Sequence, residues 1–340
     1  YPVFFLLLCN NAKSWSSSFL FGWAFGFGYF LSNIYWITNS LTFDDSFKKL
    51  IPLTLFVIPL FLGLFYGVST LVINFFTIKN NMSSILFFAA TISLFEYLRG
   101  TILTGFPWNL IVFSLTDYLS SLQILSLVGT YSLNLFAITI FLMPITIFSK
   151  KKFIYKFILV SLTVTIILLN IVYGSNRIKN YEKNNFQIVN TSIKIISPKI
   201  QLTNFFEQSD PSNRIEKLVQ LSNPSLDESF LYIFPEGILS GVFLEELKEF
   251  QFLFKDRFNL NDKIILGINS QENSKIFNSM VLLDHNLNII KKYKKNKLVP
   301  FGEFLPFENI LSKFNLKKIT QGYNSFSDSN QREQINLNGL

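Results

Sequence analysis

"IPLTLFVIPLFLGLFYGVSTLVINFF", residues 51–76, runs for 26 residues without one charged side chain. A helix rises about 1.5 Å per residue and a bilayer's hydrocarbon core is about 30 Å thick, so roughly 20 apolar residues suffice to cross it. A surface helix of a soluble domain carries charge on its outer face, and this stretch has none to put there. It predicts a membrane span.

Working outward, four more stretches share this texture, at 19–39, 84–103, 122–148 and 153–173, and "PVFFLLLC" (2–9) reads as the tail of another. Short loops join them, so residues 1–176 are expected to form a transmembrane helix bundle. Glycines recur at helical spacing in "GWAFGFGYF" (22–30), which lets helix backbones approach closely.

Composition agrees. Only 15% of the 340 residues are charged, against about 25% in soluble domains; mean hydropathy is +0.35. The net charge of +8 is concentrated after residue 150. With so apolar a first half, this balance reads as lipid contact or membrane topology rather than nucleic-acid binding.

Lysines orient the bundle. Lys13, Lys79 and Lys150–Lys152 fall in loops on one side by parity, while Lys48 and Lys49 on the other are offset by Asp44 and Asp45. The lysine-rich side is expected to be cytoplasmic, so the chain after about 175 should lie outside the cytoplasm. The basic "SNRIKNYEKNN" (175–185) pulls against this.

Cys9 is the sole cysteine and His285 the sole histidine. That excludes an intrachain disulfide, a thiolate metal cluster and a multi-histidine metal site within these residues. Tyr1 already lies in an apolar run and "INLNGL" (335–340) has no stop-like character, so the sequence is expected to be a fragment.

After residue 186 the texture changes. "FQIVNTSIKII" (186–196), "FLYIFPEG" (230–237), "KIILGINS" (263–270), "FNSMVLLD" (277–284) and "NIIKKY" (288–293) read as strands. "SNRIEKLVQLSN" (212–223) and "GVFLEELKEFQFLFKDRF" (241–258) read as helices. This order predicts a layered α/β domain over 186–340. Only "HNL" separates the last two strands, so part of the sheet should be antiparallel.

Three residues here are suited to chemistry. Glu236 follows a buried strand and a proline, where α/β folds place reactive groups; partial burial is expected to raise its pKa toward general-base range. Lys295 ends a lysine run and is suited to stabilising an oxyanion. Glu303 sits in "KLVPFGEFLPF" (297–307), a loop fixed by Pro300, Gly302 and Pro306. Each also has a plainer reading, as a solvated turn acid, a basic patch or an exposed loop acid. In the first half, Glu96 and Arg99 stand one helical turn apart and Trp108 follows a helix-breaking Pro107; these are membrane-side candidates or a structural ion pair with an aromatic anchor.

Taken in order, "GWAFGFGYFLSNIYWI" (22–37), "EYLRGTILTGFPW" (96–108), "FPEG" (234–237), "FNSMVLLD" (277–284) and "YKKNKLVPFGEFLP" (293–306) resemble the apolipoprotein N-acyltransferases of bacterial inner membranes. The last stretch is the most specific, matching a Tyr-x-Lys-x-His-Leu-Val-Pro-Phe-Gly-Glu pattern. The resemblance implies a polytopic bundle joined to a periplasmic nitrilase-like (carbon–nitrogen hydrolase) domain, an αββα sandwich that is C-terminally incomplete here. It implies a Glu-Lys-Cys triad with Glu236 as general base, Lys295 at the oxyanion and Glu303 as supporting acid. Its substrates would be a phospholipid acyl donor and a diacylglyceryl-cysteine apolipoprotein acceptor, with no metal or organic cofactor.

The sequence departs from the pattern at Lys297, where histidine is usual, at "FPEG" in place of Trp-Pro-Glu-Thr/Ser, and at "ISPKIQLTNFF" (196–206), with Phe206 near a common tryptophan. The nucleophilic cysteine is expected shortly after "INLNGL" and so absent from this chain, leaving it inactive alone. A membrane-tethered amidase or nitrilase acting on small amides, and a non-enzymatic receptor or transporter, are the alternatives.

Overall fold

A computed structural model of the chain describes residues 1–43, 45–76, 82–148, 151–183, 191–199, 210–239, 241–314 and 325–330. It separates into two compact units, Tyr1–Asn185 and Phe186–Leu340.

The first unit is helical: α1 (Pro2–Asn10), α2 (Trp15–Ile34), α3 (Asp45–Lys48), α4 (Ile51–Phe75), α5 (Met82–Arg99), α6 (Leu119–Leu122), α7 (Leu125–Val128), α8 (Thr130–Leu142) and α9 (Phe153–Lys183). Among the described residues four helical stretches are long and apolar enough to cross a membrane: Ile51–Phe75, Met82–Arg99, Thr130–Phe148 and Phe153–Lys183. The 20-residue α2 falls outside that set, because serines and glycines dilute its apolar content. Of the span expected at 122–148, only the part from Thr130 is continuous. Gly129, at φ +77°, ends the short α7 and starts α8 in a conformation open to glycine.

The glycines of α2 set its crossing with α4. A Cβ on Gly26 would stand 2.8 Å from the Gly63 Cα, and one on Gly22 would stand 2.6 Å from the Tyr66 carbonyl oxygen. With backbones this close, polar side chains bond across the pair. Ser18 Oγ donates to the Thr70 carbonyl and Thr70 Oγ1 to the Ser18 carbonyl, each at 2.9 Å. Trp23 Nε1 donates to the Leu60 carbonyl at 2.8 Å. The apolar packing around them includes Phe5, Phe30, Ile73, Phe88 and Ile138, all at most 2% exposed.

Among the described residues, the second unit is built on one five-stranded mixed sheet. Its strands are β1 (Ser192–Ile195), β2 (Phe230–Ile233), β3 (Lys263–Glu272), β4 (Lys275–Asp284) and β5 (Ile289–Lys294), in spatial order 1-2-3-4-5. β1, β2 and β3 are parallel; β3, β4 and β5 are antiparallel, as the short connection to β5 predicts. The β1–β2 crossover contains α10 (Pro211–Ser222); α11 (Glu308–Leu311) follows the sheet. Asp210 caps α10 by accepting from the Ser212 N–H, Pro211 occupies its first turn, and Asn223 ends it at φ +41°. Its Ile215, Leu218 and Val219 recur on one face and pack with Tyr232, Ile264, Leu266, Val281 and Leu283.

The stretch 241–258 is not the long helix its sequence suggests. It is a series of turns around a 3-10 segment, Leu247–Leu253. Its start is drawn to the sheet instead: Phe243 bridges Asn269, and the Leu244 N–H donates to the Asn269 carbonyl at 2.8 Å. Leu247, Leu253, Phe254 and Phe258 still bury against the same core, so hydrophobic spacing was satisfied without a continuous α-helix. Residues 186–190 of the first expected strand, residues 200–206 with Phe206, and 335–340 lie outside the described residues.

Candidate active site

The site is assembled on the sheet face opposite that core. Side chains alternate along a strand. In β3 and β4, Ile264, Leu266, Val281 and Leu283 face the core, which leaves Gly267, Asn269, Asn278 and Met280 on the other side.

β2 carries Glu236 to this face. The Phe234 N–H makes the last bond to β3, at 2.9 Å from the Ile265 carbonyl. Pro235 has no N–H to continue the ladder, and Gly237 turns the chain at φ +67°. The turn presses on β3: a Cβ at Gly267 would stand 2.7 Å from the Glu236 Cα. A bare backbone at 267 lets the carboxylate lie over the strand.

β5 delivers the lysine, and alternation sorts the lysine run. Lys292 and Lys294 pair across β4 with Val281 and Ser279, on the core side, and both bond the Glu272 carboxylate there. Those bonds hold the Glu272 pKa down at about 2. Lys295, one residue past the strand, falls on the opposite face, its N–H donating to the Asn278 carbonyl at 2.9 Å. Lys297 is exposed.

The loop after β5 returns Glu303 to the same point. Its N–H donates to the Val299 carbonyl at 2.8 Å, and its Oε2 accepts from the Val299 N–H at 2.7 Å. This closed turn holds Phe301 at φ +62°. The Phe326 N–H reaches the Glu303 carbonyl at 2.8 Å and the Ser329 N–H the Lys295 carbonyl at 3.2 Å, so the described segment 325–330 braces the loop from behind.

Glu236, Lys295 and Glu303 therefore meet. Lys295 Nζ lies 3.2 Å from Glu236 Oε1 and 2.9 Å from Glu303 Oε1. Asn278 Nδ2 donates to the same two oxygens, at 2.6 and 2.7 Å. The Glu236 side chain is 63% exposed and that of Glu303 11%. One carboxylate is open to a reactant and the other is built into the wall.

The electrostatics correct one expectation. Burial does push the Glu236 carboxyl upward, but the Asn278 bond and the Lys295 charge outweigh it, and the pKa lies below the ordinary value. For Lys295, burial works downward and is outweighed by the bond and charge of Glu303 and the charge of Glu236, so its pKa is raised. Glu236 is a carboxylate and Lys295 an ammonium at neutral pH.

The sequence reading missed Asn278. Its signal was an amide on the face of β4 otherwise carrying Met280 and Leu282.

In the helical unit, Glu96 and Arg99 form a buried ion pair, 1% and 0% exposed. Tyr66, also missed, donates its hydroxyl to Glu96. Arg99 Nη1 donates to the carbonyls of Phe106 and Trp108, the latter at 2.9 Å, and its guanidinium lies 5.0 Å from the centre of the Phe30 ring. The pair pins the break after α5, where Trp108 stacks on Trp36 at 5.3 Å. Cys9 is buried in the packing of this unit.

Comparison with known proteins bears on both units. Residues 1–143 match the family model described as the apolipoprotein N-acyltransferase N-terminal domain. The chain is similar to proteins named apolipoprotein N-acyltransferase from Rickettsia prowazekii, 31% identical over 94% of this chain and 66% of the relative, and Rickettsia typhi, 30% identical over 97% and 67%. A third, from Rhodopseudomonas palustris, is 27% identical over 93% of this chain and 61% of its own length. The chain thus spans roughly two thirds of the length of these relatives. Identity that continues through the sheet unit, beyond the matched N-terminal domain, makes this chain a member of the apolipoprotein N-acyltransferase family.

Proposed function

We propose that the protein to which this chain belongs transfers an acyl chain from a phospholipid to the amino group of a diacylglyceryl-cysteine apolipoprotein, through a cysteine thioester. The observation that carries the reading is the convergence of Glu236, Lys295 and Glu303 on one sheet face. In this reading residues 1–176 are an inner-membrane bundle and 186–340 a nitrilase-like domain in the periplasm. The lysine-rich loops support that orientation.

The proposed chemistry uses the residues in turn. Glu236 accepts the proton of a cysteine thiol, and the thiolate attacks the ester carbonyl carbon of the phospholipid. Lys295 stabilises the oxyanion. The carbon–oxygen bond breaks, and the lysophospholipid oxygen leaves with the proton from Glu236. The acceptor amine then attacks the thioester, gives its proton to Glu236, and departs as the amide as the thiol reforms. Because a free thiol has a pKa near 8.5 and Glu236 is held low, the Lys295 charge must lower the thiol's own pKa as well. Glu303 and Asn278 keep the lysine and the base aimed. The thiol is assigned to the part of the relatives' length that this chain does not span.

Exposed apolar groups at the site support a lipid substrate. Val299, Phe301 and Phe307 are 53%, 49% and 73% exposed on the loop that holds Glu303.

The test is acyl transfer by the full-length protein from radiolabelled phosphatidylethanolamine to a diacylglyceryl lipopeptide. The reading expects label in the lipopeptide, lost in Glu236→Gln and Lys295→Met. Turnover of small amides without lipid transfer would overturn it.

A further inference from the structure

The helical unit contains a cleft of about 780 Å³ between α5, α7, α8 and α9, within the roughly 300–1,000 Å³ range typical of ligand sites. One wall is the α9 face bearing Ile166, Asn170 and Tyr173; the facing wall includes Ile124, Val128 and Phe136. α9 leaves the cleft open along its length. Gly174 is its one buried residue, set against Ser120, and Asn170 Nδ2 ties it to the Ser121 carbonyl at 3.0 Å. The α5, α8 and α9 walls belong to helices apolar enough to cross a membrane, and the α7 wall to the shorter apolar stretch Leu119–Val128, so the cleft suits an apolar occupant drawn from the hydrocarbon layer.

Just beyond one end of the cleft, past its lining residue Tyr173, stands a cation. Arg177 continues the α9 face one turn beyond Tyr173, and its Nη1 reaches Ser126 Oγ on the facing wall at 2.5 Å and the Tyr173 hydroxyl at 3.3 Å. The apolar run of α9 stops at Tyr173, which sets Tyr173 and Arg177 at the depth of the lipid headgroups. Among the described residues no carboxylate pairs with Arg177. A guanidinium has five donors in a fork matched to phosphate, and two neutral hydroxyls leave most of that capacity open.

We propose that this cleft is a binding site for one glycerophospholipid, its acyl chains between α8 and α9 and its phosphate on Arg177. An apolar trough with Arg177 on its own face at the interfacial end, and Lys179 close by on the same helix, fits an amphiphile with an anionic head. The site rests on the helical unit crossing a bilayer and does not depend on the acyl-transfer reading.

The experiment uses the full-length protein in nanodiscs of phosphatidylethanolamine and phosphatidylglycerol, with phosphatidylglycerol carrying a photoactivatable diazirine in its acyl chain. Labelled residues are mapped by mass spectrometry. Label is expected to concentrate on Phe136, Ile166 and Val128 relative to Leu168 on the opposite face of α9. Arg177→Gln is expected to cut cleft labelling about tenfold, the weight of charge-assisted bonds to a phosphate, without changing label at Leu168. A diazirine diacylglycerol, lacking phosphate, should label the cleft weakly and equally in both proteins. Ser132→Trp, which fills the cleft, should abolish its labelling; Arg177→Gln, an exposed change, keeps the test sound if that variant fails to fold. Cleft labelling no higher than at Leu168, indifference to Arg177→Gln, or protein–protein crosslinks showing a helix packed over the cleft would each overturn the proposal.

Discussion

Asn278 is the residue on which the two carboxylates and the lysine depend for their arrangement. Its amide nitrogen bonds one oxygen from each acid, so it holds two like charges close while the Lys295 ammonium bridges them. Replacing it with alanine removes charge-assisted donors worth about 1.5–3 kcal/mol each. Asn278→Ala is therefore expected to lower kcat/KM about 10- to 100-fold and to lower the thermal melt as well. The pH profile should move as well. The amide bond favours the charged form of Glu236 and helps hold its pKa below the ordinary value; without it the pKa rises. The acid limb of kcat/KM is then expected to shift to higher pH, and an unshifted limb would show that Asn278 does not bear on the base. Glu236, Lys295 and Glu303 were legible in the sequence because a strand end, a lysine run and a proline-fixed loop mark them locally. Asn278 was not, because its importance arises only when three distant segments meet over β4.

At the scale of elements, backbone approach and strand alternation make separate demands. The α2–α4 crossing leaves no room at Gly26, where an added Cβ meets Gly63 Cα at 2.8 Å and Tyr66 Cβ at 3.0 Å, whereas Gly28 meets nothing within 4 Å. Gly26→Val is expected to destabilise the helical unit by about 1–3 kcal/mol, and Gly28→Ala to stay within about 0.5 kcal/mol. Thermal melts in detergent distinguish them, and equal effects would refute the crossing. In the sheet, Glu272 bridges Lys292 and Lys294 on β5, the outermost strand among the described residues. Its pKa falls from 4.5 to about 2, so its contribution is present above pH 4.5 and is lost as the pH falls through 2. The carboxylate is 40% exposed, and with solvent screening the pairs amount to about 0.5–1 kcal/mol. Glu272→Gln is expected to speed hydrogen exchange of the β5 amides near neutral pH, and high salt should shrink the difference. Strands and long apolar helices were readable from periodicity and length. The 241–258 stretch was not, because its hydrophobic spacing fits a helix while its first residues bond to β3 instead.

At the scale of the whole molecule, the chain joins two materials: a unit with apolar side chains turned outward and a unit with a conventional core. α9 shows the first plainly, with Phe157, Leu162, Leu168 and Leu169 each more than half exposed. That surface is stable only in hydrocarbon, since burying apolar area from water is worth about 25 cal/mol per Å². The composition alone made this half legible. The sidedness of the chain is the coarser inference, because Arg177, Lys179 and Lys183 lie at the α9 end opposite Lys151 and Lys152. Positive charge near both ends of one span opposes itself, and the proposed orientation then rests on the lysines of the earlier loops. Single cysteines settle it. With Cys9 and every cysteine of the protein beyond this chain replaced by serine, Glu228→Cys in the sheet unit is expected to react with a membrane-impermeant maleimide in cells whose outer membrane alone is opened. Lys152→Cys, also exposed, should react only after the inner membrane is breached. The reverse pattern would put the sheet unit in the cytoplasm, opposite to the proposed orientation, and would remove the proposed periplasmic reaction together with it.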